Sequence, residues 1–242
     1  MMVPLFVLAV AVVMILLETI RPGRRWPQVA GWWTRAFLLN GCQVGAVYLA
    51  GSVWNGWMVE HRLWSADRLG AAGGAVLGYL VITFVYYWWH RFRHEVQFLW
   101  RWVHQVHHSP QRIEIITSFY KHPIELLVNS VLSSAILYLL VGVGPEAASS
   151  AVLITGLAEL FYHWNVRTPH WLGFLVQRPE SHCIHHQEGV HSYNYADLPV
   201  WDMLFGTFRN PPRWDARCGF GPTNEGRLAE MLVGVDVNRT PD

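Results

Sequence analysis

Residues 69–108 read LGAAGGAVLGYLVITFVYYWWHRFRHEVQFLWRWVHQVHH, and this stretch decides the fold. Residues 69–89 carry no charged side chain. A helix crossing a bilayer core needs roughly 20 such residues. The run then passes directly into His90-Arg-Phe-Arg-His94 and, ten residues later, His104-Gln-Val-His107-His108. On a helix, residues three or four apart share a face. HxxxH therefore aims two imidazoles at one point, and HxxHH aims its outer pair likewise. The inner imidazole of HxxHH widens the reach enough to touch a neighbouring metal. An apolar span ending in such boxes predicts a membrane helix that delivers a metal site to the bilayer surface.

Working outward, a second HxxHH follows at His182-Cys-Ile-His185-His186. With 13 His in 242 residues, one HxxHH is expected by chance on the order of 0.04 times, so two together with HxxxH lie beyond the usual motif risk. Eight convergent imidazoles exceed the three or four protein ligands of a mononuclear site. A dimetal centre is the economical reading. Neutral imidazole suits iron, zinc, copper and nickel, so the ligand set alone names no metal.

Composition agrees with a membrane location. The chain is 52% hydrophobic and 14% charged, with a mean hydropathy of +0.19, where a soluble domain is about one quarter charged. This excludes a disordered chain and argues against a soluble enzyme. A net charge of +1 gives no electrostatic footprint for nucleic acid. Cys42, Cys183 and Cys218 form no CxxC pair and no disulfide framework. Cys183, inside the third box, reads as a small buried filler rather than a thiolate ligand.

Four further apolar runs cover about 2–20, 36–58, 124–143 and 147–162. The first lacks a basic leader and is followed by Arg21, Arg24 and Arg25, which suits a retained span rather than a cleaved signal. The last two meet at Gly142-Val-Gly-Pro145 and form a hairpin that either spans or dips into the membrane. Glycines between Gly70 and Gly78 allow close helix contact. Arginine-rich 21–35 and 90–123 belong on the cytoplasmic side, together with 164–242. The N-terminus and the 55–68 loop with His61 then lie outside, and all the boxes share one face. The predicted fold is an all-α membrane protein: a bundle of four to five transmembrane helices with a cytoplasmic helical cap holding a His-rich dimetal site. Residues 1–89 form the N-terminal transmembrane helices. Residues 90–222 form the His-box region, including the hairpin at 124–163, and 223–242 form a tail without motif, free to fray. Seventeen Arg against one Lys hint at a GC-rich bacterial genome, hence a bacterial inner membrane.

Other residues suggest supporting roles. Asp202 is placed to orient a ligand imidazole from behind. Glu125 and Glu159 lie in apolar runs, where acids are costly and often functional. Tyr86-Tyr87-Trp88-Trp89 reads as an interfacial aromatic belt.

The whole pattern resembles the fatty acid hydroxylase/sterol desaturase superfamily of integral-membrane, His-rich di-iron oxygenases. The resemblance runs from His90 to Thr207. His122-Pro123-x-Glu125 resembles its HPxE, His163-Trp-Asn165 its HxN, and Trp201-Asp202-x-x-Phe205-Gly206-Thr207 its WDxxFGT. Asn194-Tyr195-Ala196 resembles its NYG, with Ala for Gly. Carried over, the resemblance makes His90, His94, His104, His107, His108, His182, His185 and His186 metal ligands, with His163 the ninth. Some members carry a further His four residues after that position, where this chain has Arg167. Asn165, His122, His170 and His191 are the local candidates to fill or support that slot. The resemblance implies two iron ions, with zinc able to occupy a purified form. It also implies a fatty acyl, sterol or related lipid, hydroxylated or desaturated at an unactivated C–H with dioxygen and two external electrons. No flavin, nicotinamide or haem motif is visible, so a separate donor is expected: a ferredoxin, or a b-type cytochrome with its reductase. Two rival readings remain. A metal-dependent membrane hydrolase would want a carboxylate base beside the metal, and a metal-binding transport protein would want ionisable residues along the spans.

Overall fold

The computed structural model describes residues 2–238, with side chains from residue 6 onward. Apart from one isolated bridge between Gln187 and Cys218, its regular structure is helical. The long helices are α1 (Met2–Ile20), α2 (Trp32–Glu60), α3 (Gly70–Glu95), α5 (Pro123–Val141) and α6 (Pro145–His163). Between α3 and α5 lies a short helix α4 over 97–108, π-helical at Trp100–His104. The remaining chain forms the short helices α7 (Pro179–His185), α8 (Pro199–Leu204), α9 (Gly221–Glu225) and α10 (Leu228–Leu232).

Among the described residues, three helices are long and apolar enough to cross a membrane: α2, α5, and α3 with its preceding turn from Asp67. Phe6–Ile20 is a shorter apolar helix. Large apolar side chains such as Leu38, Val44, Leu80 and Phe84 stand exposed on α2 and α3. A continuous surface of this kind suits lipid rather than water.

The glycines of α3 work as expected. A methyl group on Gly74 would stand 3.0 Å from the Ala147 Cβ, and one on Gly78 would stand 2.8 Å from Leu137 Cδ2. Small residues therefore let α3 press against the α5–α6 hairpin, burying Ile82, Leu137, Val143 and Ala151. The hairpin turns at Gly142, whose φ of 72° is left-handed and suits glycine. At this tip, Ala66 N donates to Gly142 O (2.9 Å) and Trp64 Nε1 donates to Val141 O (3.0 Å). The tip and the 61–69 loop therefore share one end of the bundle. His90 and His163 sit at the other end of the same helices, so the hairpin runs beside the whole apolar part of α3.

α1 is fastened near its end by buried Glu18, which accepts from Ile115 N (3.2 Å) and Asn165 N (3.0 Å). The expectation that residues past 222 fray is overturned for the described part. Met231 and Val237 are buried with Trp32, Val106 and Tyr120. Gln105 Nε2 donates to Val235 O (2.8 Å), which ties the tail to the second box. Apolar side chains and backbone acceptors fix this tail without forming any recognisable motif.

Candidate metal centre

Nine imidazoles meet at one end of the bundle in two groups. One holds His90, His94, His104, His108 and His185; the other holds His107, His163, His182 and His186. Within each group one ring nitrogen per residue lies within 4.8 Å of all the others. The HxxHH boxes divide as helical geometry requires. His104 and His108 face the first group while His107 faces the second; His182 and His186 face the second while His185 crosses to the first. Each box thus serves both groups, and the two groups are related by exchanging the boxes. α3 adds two histidines to the first group, and α6 adds only His163 to the second. Arg167 lies elsewhere, its Nε donating to Gly23 O at 3.1 Å. The groups therefore number five and four.

The spacing fits a metal ion in each group. His104 Nε2 stands 3.0 Å from His90 Nε2 and 3.1 Å from His108 Nε2. His182 Nε2 stands 3.0 Å from both His163 Nε2 and His186 Nε2. Two nitrogens each about 2.1 Å from one ion, at right angles, stand about 3.0 Å apart. His94 Nε2 and His185 Nε2 are buried without any hydrogen-bond partner. Leaving each so costs about 1–3 kcal/mol, which coordination would relieve. Burial first, with neighbouring cations and imidazoles adding, holds His104, His107, His108, His182 and His186 well below the usual histidine range. Burial also takes His185 down to about 3. Neutral imidazole, the form that binds metal, is thus built in.

The outward-facing nitrogens are also held. His90 Nδ1 donates to Tyr195 O (2.7 Å), His185 Nδ1 to Tyr193 O (2.7 Å), His163 Nδ1 to Glu159 O (2.9 Å) and His107 Nδ1 to Tyr120 O (3.3 Å). His104 Nδ1 meets Glu125 Oε1 at 3.1 Å. Glu125 is fully buried and also paired with Arg93. Such partners fix the ring and leave the inner nitrogen for the ion. The sequence explains the placement of Glu125. His122 caps α5 by accepting from Ile124 N (3.0 Å), and Pro123 starts the helix, so Glu125 falls in its first turn facing α4.

Several expectations need correction. Asp202 touches no imidazole. Its Oδ1 accepts from Tyr195 N (2.8 Å) and Thr207 Oγ1 (2.7 Å), and its Oδ2 accepts from Ala196 N (3.0 Å). It therefore clamps the loop whose carbonyl holds His90. Asn165 spends its amide on Arg24, accepting from Arg24 N and donating to Arg24 O, both at 2.9 Å. His122 is the cap described above, and its Nε2 donates to Leu232 O (3.2 Å). His170 is exposed, donating to Asn210 O (3.0 Å). None of these four joins a metal group, whereas His191 stands directly behind His108. The Tyr86–Trp89 belt turns inward. Tyr87 is fully buried, and Asn129 accepts from Tyr86 Oη (2.7 Å, at its carbonyl) and Trp89 Nε1 (2.8 Å, at Oδ1). Cys183 lies with Cys218, Ile113 and Trp214 in an apolar cluster, away from both groups. The carbonyls of Tyr120, Glu159, Tyr193 and Tyr195 escape sequence reading because a backbone acceptor has no residue signature, and the role of Arg93 escapes it because its partner Glu125 lies on another helix.

Residues 75–207 match the fatty acid hydroxylase family over more than half of the chain. The chain belongs to this family. Among its relatives, the ornithine lipid hydroxylase of Rhizobium tropici is 35% identical over 159 residues, 63% of this chain and 47% of the relative. The alkylglycerol monooxygenase of Danio rerio is 32% identical over 138 residues, 54% of this chain and 30% of the relative. The sphingolipid C4-hydroxylase of Schizosaccharomyces pombe is 26% identical over 137 residues, 55% of this chain and 47% of the relative. The chain spans at most about half the length of these relatives. No solved structure matches it.

Proposed function

We propose that this protein is a multi-pass membrane oxygenase that hydroxylates an unactivated C–H of a lipid, using dioxygen and two electrons from a separate donor. The observation that carries this reading is the pair of buried imidazole groups, five and four, at one end of an apolar bundle. In this reading the nine histidines bind two irons, which when bound supply the dioxygen chemistry. The protein's own groups do the rest. Glu125 and the carbonyls of Tyr120, Glu159, Tyr193 and Tyr195 set the rings. Burial keeps the imidazoles neutral, and α3 and α5 offer an apolar approach from the bilayer. Residues 90–222 carry the centre and residues 1–89 anchor it.

The rest of the arginine and span pattern supports four to five spans, with the centre on the cytoplasmic face of a bacterial inner membrane. The donor is a ferredoxin, or a b-type cytochrome with reductase. The three named relatives are, by name, an ornithine lipid hydroxylase, an alkylglycerol monooxygenase and a sphingolipid C4-hydroxylase. This favours hydroxylation over desaturation, and a lipid bearing a headgroup over a free fatty acid. Lipid extracts of cells expressing the wild type should contain a species heavier by one oxygen atom. His107→Ala cells should lack it. Identical lipids in both would refute the reading.

A further inference from the structure

Outer partners differ between the two groups. In the five-histidine group, His104 has a carboxylate, His90 and His185 have carbonyls, and His108 has a second imidazole. His191 Nδ1 stands 3.2 Å from His108 Nδ1. His108 turns its Nε2 inward, to 3.1 Å from His104 Nε2. Its single proton therefore sits on Nδ1, so His108 donates and His191 accepts. In the four-histidine group, the outer partners found are the carbonyls behind His107 and His163 and the Gln177 amide, 2.8 Å from His182 Nδ1.

The backbone at His191 is held against its preference. His191, Tyr193 and Asn194 have φ of 42°, 69° and 48°, in the left-handed region. Left-handed backbone at residues other than glycine and asparagine costs on the order of 1–3 kcal/mol per residue and persists where surrounding contacts impose it. Here the contacts are visible. Asn194 Nδ2 donates to Ser181 O (2.8 Å), Asp202 clamps the next two amides, and the His191 ring packs 5.2 Å from Phe220 and 5.8 Å from Trp100. A residue that served only the loop would be better as glycine or asparagine.

We infer that His191 is a positioning residue for the metal of the five-histidine group, acting by accepting the Nδ1 proton of His108. This rests on the metal-pair reading above. The test is a Co2+ titration of the metal-free full chain in nanodiscs, followed by visible absorption, with thermal stability measured beside it. The wild type binds two ions. His191→Gly removes the imidazole and also relieves the left-handed strain. It should weaken one of the two affinities by about 10–100-fold, the usual effect of losing such a partner, while thermal stability stays level or rises. His191→Asn keeps an acceptor and tolerates the backbone, and should restore binding. Two wild-type affinities in His191→Gly would overturn the inference. So would equal weakening of both sites with lowered stability, which marks a purely structural role. Failure of the wild type to bind a pair of ions would instead overturn the metal-pair reading.

Discussion

His104 carries the most connected position at the residue scale. Its inner nitrogen lies about 3 Å from those of His90 and His108, and its outer nitrogen meets Glu125. Glu125→Gln keeps the shape but removes the negative charge behind the ring. Metal affinity or activity should fall by about 10–100-fold, measured by iron content after dialysis against a weak chelator. Retention equal to wild type would count against the carboxylate. The pH response follows from the same burial. Burial holds the rings of His104, His107, His108, His182 and His186 well below the ordinary value of about 6.5, and takes His185 to about 3. The unfolded chain therefore binds more protons between these values. The contribution to stability is complete above pH about 6.5 and is lost as the pH falls toward the native values. The melting temperature of the metal-free protein should fall on acidification from pH 7 to 5; a flat profile would contradict it. The eight box histidines that meet in the two groups were legible because the i, i+3 and i+4 spacing is written into the boxes, whereas His163 stands outside any box and was expected from the resemblance alone. The partners of Asp202 and Asn165 were not legible, because Asn165 chose the Arg24 backbone and Asp202 two backbone amides besides the Thr207 hydroxyl, groups brought together by the fold.

At the scale of elements, the α3–hairpin contact decides whether the boxes meet. The Gly78 site faces Leu137 and Ala151, so even a methyl group there would stand 2.8 Å from Leu137 Cδ2 and displace that side chain. Gly78→Leu should push α3 from the hairpin at a cost of about 1–3 kcal/mol and reduce metal retention, since His90 and His163 sit on these two elements. Unchanged melting temperature and metal content would show the contact to be slack. The spans and the glycine seam could be read from hydropathy and spacing. The docked tail could not, because the short apolar run 228–237 carries no motif and its burial depends on the surface it meets. The inward aromatic run was misread for a related reason: Asn129, which accepts from both Tyr86 and Trp89, belongs to another helix.

For the whole molecule, the hairpin tip and the 61–69 loop mark one end and the imidazoles the other. A reporter fused at the C-terminus should be active in the cytoplasm, and His61→Ala at the far end should leave metal content unchanged. A reporter active only outside would reverse the orientation. What unites these levels is a pair of imidazole groups sharing two HxxHH boxes, and metal stoichiometry tests most directly the proposal that each holds an ion. Protein purified from iron-supplied cells should contain two irons per chain. His107→Ala and His185→Ala should each lower that number, since each removes a ligand from a different group. One metal per chain, or wild-type iron content in both variants, would contradict the paired centre.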